Sequence, residues 1–137
     1  MGDTTTSGIL SIAASALRAQ QARMRVIAEN IANSDSTART ADGEPYRRQA
    51  PVFQPTPVNG GQGVAMTRVA PDPSDFKLEY APGHPAADKN GYVKLPNVDP
   101  LVETLDMKEA QRAYEANMNV IETSRAMEAR TLDILRK

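Results

Sequence analysis

Apolar residues recur every seven positions at both ends of this chain and lose that period in between. Leu10, Leu17, Met24 and Ile31 form the first series, with Ala13, Gln20 and Ile27 falling between them. Met107, Tyr114, Ile121 and Leu135 form the second, flanked by Ala113, Val120, Met127 and Ile134. A seven-residue apolar repeat marks a helix that buries a narrow stripe against another helix. The helix breakers agree, since nine of the ten prolines and six of the eight glycines fall in residues 35–98. The pattern predicts a mainly α fold with a small β insert, its N- and C-terminal helices paired as an elongated antiparallel coiled coil. It divides the chain into an N-terminal helix with a disordered lead (1–34), a β/loop insert (35–98) and a C-terminal helix (99–137). Ends matched to each other, or to copies of themselves, describe a protein built to assemble.

Local signals refine these elements. The first six residues read as the disordered lead, and Thr6 or Ser7 can cap the helix that follows. That helix runs to about Ala32, with Asn33 as a left-handed stop. Asp99 before Pro100 opens the last helix, because proline at the first helical position gives up only an unpaired N–H. Asn117, Ser124 and Thr131 line one edge of that helix beside Ala110 and permit close approach. In the middle, Phe76–Tyr80 alternates like a half-buried strand, and Val64–Val69 and Tyr92–Leu95 are further strand candidates. Tyr46–Phe53 reads as extended, with Pro51 restricting it to an edge. Residues 54–57 are too proline-rich for regular structure, and residues 59–63 read as a turn or mobile loop.

Composition then narrows the function classes. A net charge of −1 argues against a general nucleic-acid binder, which needs concentrated Lys and Arg. Two Phe, four Tyr and no Trp rule out a large aromatic core, and zero cysteines rule out disulfides and thiolate metal sites. Residues 7–34 carry three arginines against one glutamate, while residues 99–137 carry eight acidic and six basic side chains, so the two helices attract weakly. No stretch reaches the roughly 18–20 apolar residues of a membrane span, and the polar start is unlike a signal peptide. Composition alone therefore reads as soluble and cytoplasmic.

Candidate chemistry is sparse. His84 is the sole histidine, set between prolines in a turn with no nucleophile pointed at it. Asp88-Lys89-Asn90-Gly91 opens like a calcium loop but lacks the later ligands, so it reads as a tight turn. Gly60, Gly61 and Gly63 lack the lysine of a phosphate loop. Met107, Met118 and Met127 read as core or adaptable interface. The residues point to no enzyme, no metal, no cofactor and no small-molecule substrate.

Ala28-Glu29-Asn30-Ile31-Ala32-Asn33-Ser34-Asp35-Ser36-Thr37 resembles the N-terminal signature of bacterial flagellar rod and hook proteins. Leu105-Asp106-Met107, Tyr114-Glu115-Ala116-Asn117 and Thr131-Leu132 resemble that family's C-terminal helix signature. Pro45-Tyr46-Arg47-Arg48, Pro82-Gly83-His84-Pro85, Asn90-Gly91-Tyr92-Val93 and Pro96-Asn97-Val98 are similar to the C type of basal-body rod protein, a short proximal-rod component. Residues 54–63 match nothing specific to it, and Asp99-Pro100-Leu101 departs from its usual continuation. The resemblance implies a structural subunit of the proximal rod, assembling helically with its own copies and other rod proteins. It also implies contact with the membrane ring and its adaptor, and export through the flagellar type III apparatus without a cleaved signal, which replaces the cytoplasmic reading. The assembly seam is expected at Leu10, Leu17, Met24, Ile27, Ile31, Met107, Tyr114, Ile121 and Leu135. The family motif residues are Asn30, Ala32, Asn33, Thr37 and Asn117, and Tyr46, Arg47 and Arg48 are the expected insert contacts. Alternatives are another rod or hook subunit, or a soluble helical adaptor or secretion chaperone.

Overall fold

The computed structural model describes residues 2–136, the side chains of residues 2–4 aside. Two long helices bracket four strands along the chain, in the order α1 (Gly2–Ala32), β1 (Gln49–Val58), β2 (Gly61–Pro71), β3 (Lys77–Tyr80), β4 (Tyr92–Leu95) and α2 (Pro100–Leu135). The mainly helical fold with a small β insert is as expected. The helices touch at two points: Asn30 near the end of α1 meets Glu103 near the start of α2, and Arg23 pairs with Glu109 at 3.5 Å.

The helix ends follow local chemistry, with two corrections. Asp99 caps α2 through its side chain, which accepts the Leu101 amide at 3.0 Å, and Pro100 occupies the first helical position. α1 begins at Gly2, so the expected disordered lead and the cap at Thr6 or Ser7 do not hold. The polar stretch 3–7 contains neither glycine nor proline, and extending an existing helix fixes only one residue per added bond. Asn33 is not left-handed, since no residue other than glycine has positive φ among those described. Its side-chain amide donates instead to the Glu29 carbonyl at 2.8 Å, which also accepts the Asn33 backbone amide at 3.1 Å.

Two compact units form, and each draws on all three stretches of the chain. The first comprises Met1–Met24, Val52–Arg68 and Lys108–Lys137. Here the β1–β2 hairpin lies on α1. Ser15 accepts the Val64 amide at 3.2 Å and donates to the Ile12 carbonyl at 2.7 Å. At the hairpin tip Gly60 has φ +84°, and a Cβ there would lie 2.5 Å from the Cα of Gly8. Glycine at both positions lets backbone rest on backbone.

Residues 54–57 are part of β1, against the irregular conformation expected from their prolines. The reason is their position in the ladder. Val64 sends its amide away from β1 to Ser15, so its opposite number on β1 has its amide on the open edge. Pro55 and Pro57 occupy that alternation, and the missing donors remove no ladder bond.

The second unit comprises Arg25–Pro51 and Val69–Met107. Strands β3 and β4 pair antiparallel, Lys77 with Leu95 through Tyr80 with Tyr92. Val93 and Val98 are 2% exposed and Pro96 is fully buried, giving this unit a small apolar centre. Gly91, at φ +86°, closes the turn before β4, where Asp88 accepts the amides of Asn90 and Tyr92 at 2.9 Å each. That is the tight turn expected there.

Candidate assembly site

Within the second unit, polar side chains from four segments converge on one buried carboxylate. Glu103 is completely buried in the first turns of α2. Arg48 donates to its Oε1 through Nε, and Asn30 donates to its Oε2 from 3.4 Å. A buried carboxylate is tolerated only when paired and hydrogen-bonded, and both conditions are met. Arg48 also reaches Asp72 at 3.3 Å and Asp106 at 3.7 Å, so one guanidinium serves three carboxylates. Burial by itself lowers the arginine's pKa, but hydrogen bonds and charges from Glu103 and then Asp72 raise it overall.

Asn30 joins this hub to the strand. It is 1% exposed, its Oδ1 accepts both the Tyr46 hydroxyl at 2.7 Å and the Gln49 amide at 2.9 Å, and its Nδ2 donates to the Gln49 carbonyl. Asn97 repeats the device, accepting the Arg48 amide at 2.7 Å and donating to the carbonyls of Asp72 and Ser74. Burial raises the Tyr46 pKa, helped by the charges of Glu29 and Glu103. Asp72 is held below the ordinary carboxylate range, first by hydrogen bonds from Ser74 and then by Arg48.

The three expected insert contacts are therefore engaged inside the subunit. Tyr46 binds Asn30; Arg47 donates to the carbonyls of Asp72 and Ser74 and lies 4.1 Å over the Phe76 ring; Arg48 anchors the hub. Of the motif residues, Asn30 is central, Asn33 caps α1, and Thr37 stands 3.5 Å from His84. Ala32 is exposed, and Asn117 donates to the Ala113 carbonyl within its own helix. His84 serves a turn, accepting the Ala86 amide through Nδ1 at 3.0 Å. Sequence reasoning misses Asp72 and Glu103 and meets Asn97 only inside a motif. Glu103 reads there as an ordinary acidic residue in the first turn of a helix.

The expected seam residues are distributed differently from their heptad. Ile27 is 3% exposed, while Leu10, Leu17, Met24, Ile31, Met107, Tyr114 and Ile121 are half-buried. Besides Val26, Ile27 and Asn30, the buried positions of α1 are small (Gly8, Ala13, Ser15, Ala19 and Ala22), and on α2 Ala110 is buried with Glu103. Leu135 is 76% exposed, because every described residue of α2 from Arg125 onward lies in solvent. Along this helix a second stripe is left uncovered: Val120 (44% exposed), Met127 (63%) and Ile134 (73%), again at seven-residue spacing. Leu101 and Leu105 are exposed nearer its start. Among the described residues no group of three or more His, Cys, Asp or Glu can hold a metal, and no helix is long and apolar enough to cross a membrane.

An apolar stripe left uncovered along α2 and a polar hub that fixes the second unit are features of a structural subunit. Residues 10–39 match the family described as flagella basal body rod protein, and residues 89–134 match the C-terminal region of the flagellar basal body rod FlgEFG proteins. The flagellar basal-body rod protein FlgC of Agrobacterium fabrum is 45% identical over 132 residues, covering 95% of each chain. Its counterparts in Salmonella typhimurium and Bacillus subtilis are 44% and 39% identical, covering 92% and 91% of this chain and 95% of their own. The chain belongs to the FlgC family of flagellar basal-body rod proteins.

Proposed function

We propose that this chain is a structural subunit of the flagellar basal-body proximal rod, assembling helically with its own copies and other rod proteins into a hollow shaft. The observation that carries this reading is the uncovered heptad stripe Val120, Met127 and Ile134, together with near-full-length similarity to rod proteins. An exposed apolar stripe at heptad spacing marks a face that another helix can cover. Contacts of one face of a subunit with a different face of the next do not close, and so generate helical filaments. The hub of Arg48, Asn30 and Glu103 then gives each subunit a fixed shape to present.

In this reading the subunit resides in the periplasmic part of the basal body, having crossed by the flagellar type III route without a cleaved signal. Its neighbours are other rod proteins and, at the base, the membrane ring with its adaptor. Support comes from the family membership and from the absence of any cysteine, which leaves threading of the chain unopposed by disulfides. Epitope-tagged protein should co-purify with detergent-extracted basal bodies and resist high-salt washing. Recovery only in the soluble cytoplasmic fraction of motile cells would reject the proposal in favour of an adaptor or chaperone.

A further inference from the structure

Strand β3 has one edge paired with β4 and one edge bare. The Ala81 amide donates to the Gly91 carbonyl, which makes Tyr80–Tyr92 a pair without direct mutual bonds. By alternation, Lys77 and Glu79 turn their backbone groups toward β4, and Leu78 and Tyr80 turn theirs outward. All four residues of β3 are exposed. On β4 the corresponding edge is blocked at Tyr92, whose amide and carbonyl are taken by Asp88. An open edge without proline or bulge is a template for another strand.

The side chains select the partner. Leu78, 61% exposed, and Tyr80, 66% exposed, share the outer face of the ribbon with Tyr92, which meets Tyr80 edge to face at 5.4 Å. Lys77 and Glu79 lie on the opposite face, flanking Leu78. If a second β3 runs antiparallel with Leu78 opposite Leu78, each Lys77 falls opposite a Glu79 and the apolar outer faces become continuous. Sliding the register so that Leu78 meets Tyr80 instead sets Glu79 against Glu79, which is repulsive. Both charge and apolar patterning therefore choose one alignment. Lys77 donates to the Val98 carbonyl at 3.1 Å and keeps two further protons for a partner. The Glu79 carboxylate makes no ion pair or hydrogen bond among the described residues.

We infer that two copies of this chain pair through the open edge of β3, Leu78 against Leu78, forming a four-stranded antiparallel sheet across a two-fold axis. The contact is closed and short, so it is weak and belongs to free subunits in solution; it does not depend on the rod assembly proposed above.

Sedimentation of the purified full chain over a concentration series tests this. The wild type should form a reversible dimer. Lys77→Glu and Glu79→Lys should each weaken association about tenfold or more, because both cross-strand pairs become repulsive. An equimolar mixture of the two variants should regain the dimer, since each acidic strand then faces a basic one. Leu78→Pro should abolish pairing without disturbing the β3–β4 ladder, as it deletes an amide that faces outward. Circular dichroism identifies any variant that fails to fold, and the remaining folded variants, each compared with the wild type, then carry the test. A wild type that stays monomeric throughout, or variants that dimerise as well alone as mixed, overturns the inference.

Discussion

Asn30 and Glu103, 73 residues apart in sequence, meet at 3.4 Å where the end of α1 passes the start of α2. Both side chains are buried, and each has a second partner that makes its burial tolerable: Gln49 for the amide, Arg48 for the carboxylate. This junction of the two helices is polar, although both side chains lie away from solvent. Apolar contacts alone accept several registers, whereas an amide and a carboxylate with fixed partners accept one.

Removing one member of the buried pair should therefore hurt more than removing both. Arg48→Met leaves Glu103 buried and uncompensated and should destabilise by about 3–5 kcal/mol. Arg48→Met combined with Glu103→Leu should recover a large part of that loss. Urea unfolding of the four species in a double-mutant cycle measures the coupling. Additive effects would show that the two side chains act independently.

Stability should fall at both ends of the pH range, for different residues. Tyr46 has a raised pKa in the folded chain, so its contribution is present while it is protonated and is lost as pH rises through that raised value. Asp72 has a lowered pKa, so its contribution is present above the ordinary carboxylate range and is lost as pH falls through its depressed value. Tyr46→Phe should lower stability at neutral pH by about 1 kcal/mol, the net value of one hydrogen bond, and flatten the alkaline limb. Asp72→Asn should flatten the acid limb only. Thermal melts across pH distinguish the two.

The hairpin tip should tolerate no side chain. Gly60→Ala combines a left-handed backbone, which disfavours alanine by roughly 1–2 kcal/mol, with a clash against the backbone of Gly8. The loss should exceed that of Gly83→Ala, where the new methyl meets open space. Comparable melting temperatures for the two variants would mean that the tip does not rest on α1 in solution.

Much of this arrangement was legible in the residues because its signals are local. The Asp99-Pro100 start, the position of β3 and the Asn90-Gly91 turn each depend on neighbours within a few positions, although β3 is exposed throughout and not half-buried as its alternation suggested. The hub was hidden because Arg48 approaches Asp72 and Glu103 only through the tertiary fold, across 24 and 55 residues respectively. From sequence Tyr46, Arg47 and Arg48 read as insert contacts, and Glu103 is only one of the eight acidic residues in 99–137. Residues 54–57 misled for a related reason. Proline count argues against a strand, but what matters is which edge each missing amide faces, and pairing alone decides that. The heptads located the helices correctly, yet hydrophobic size did not reveal that Gly8, Ser15 and several alanines are buried while most of the larger heptad residues are only half-buried.

The most direct test of assembly through the uncovered stripe of α2 is incorporation of Met127→Glu into basal bodies. Met127 is 63% exposed in the subunit, so the substitution should leave the circular dichroism and melting of the purified chain unchanged. In cells lacking the wild type, the variant should be made at normal levels, be missing from isolated basal bodies and leave the cells non-motile. Normal incorporation and motility would contradict a role for this face in rod assembly.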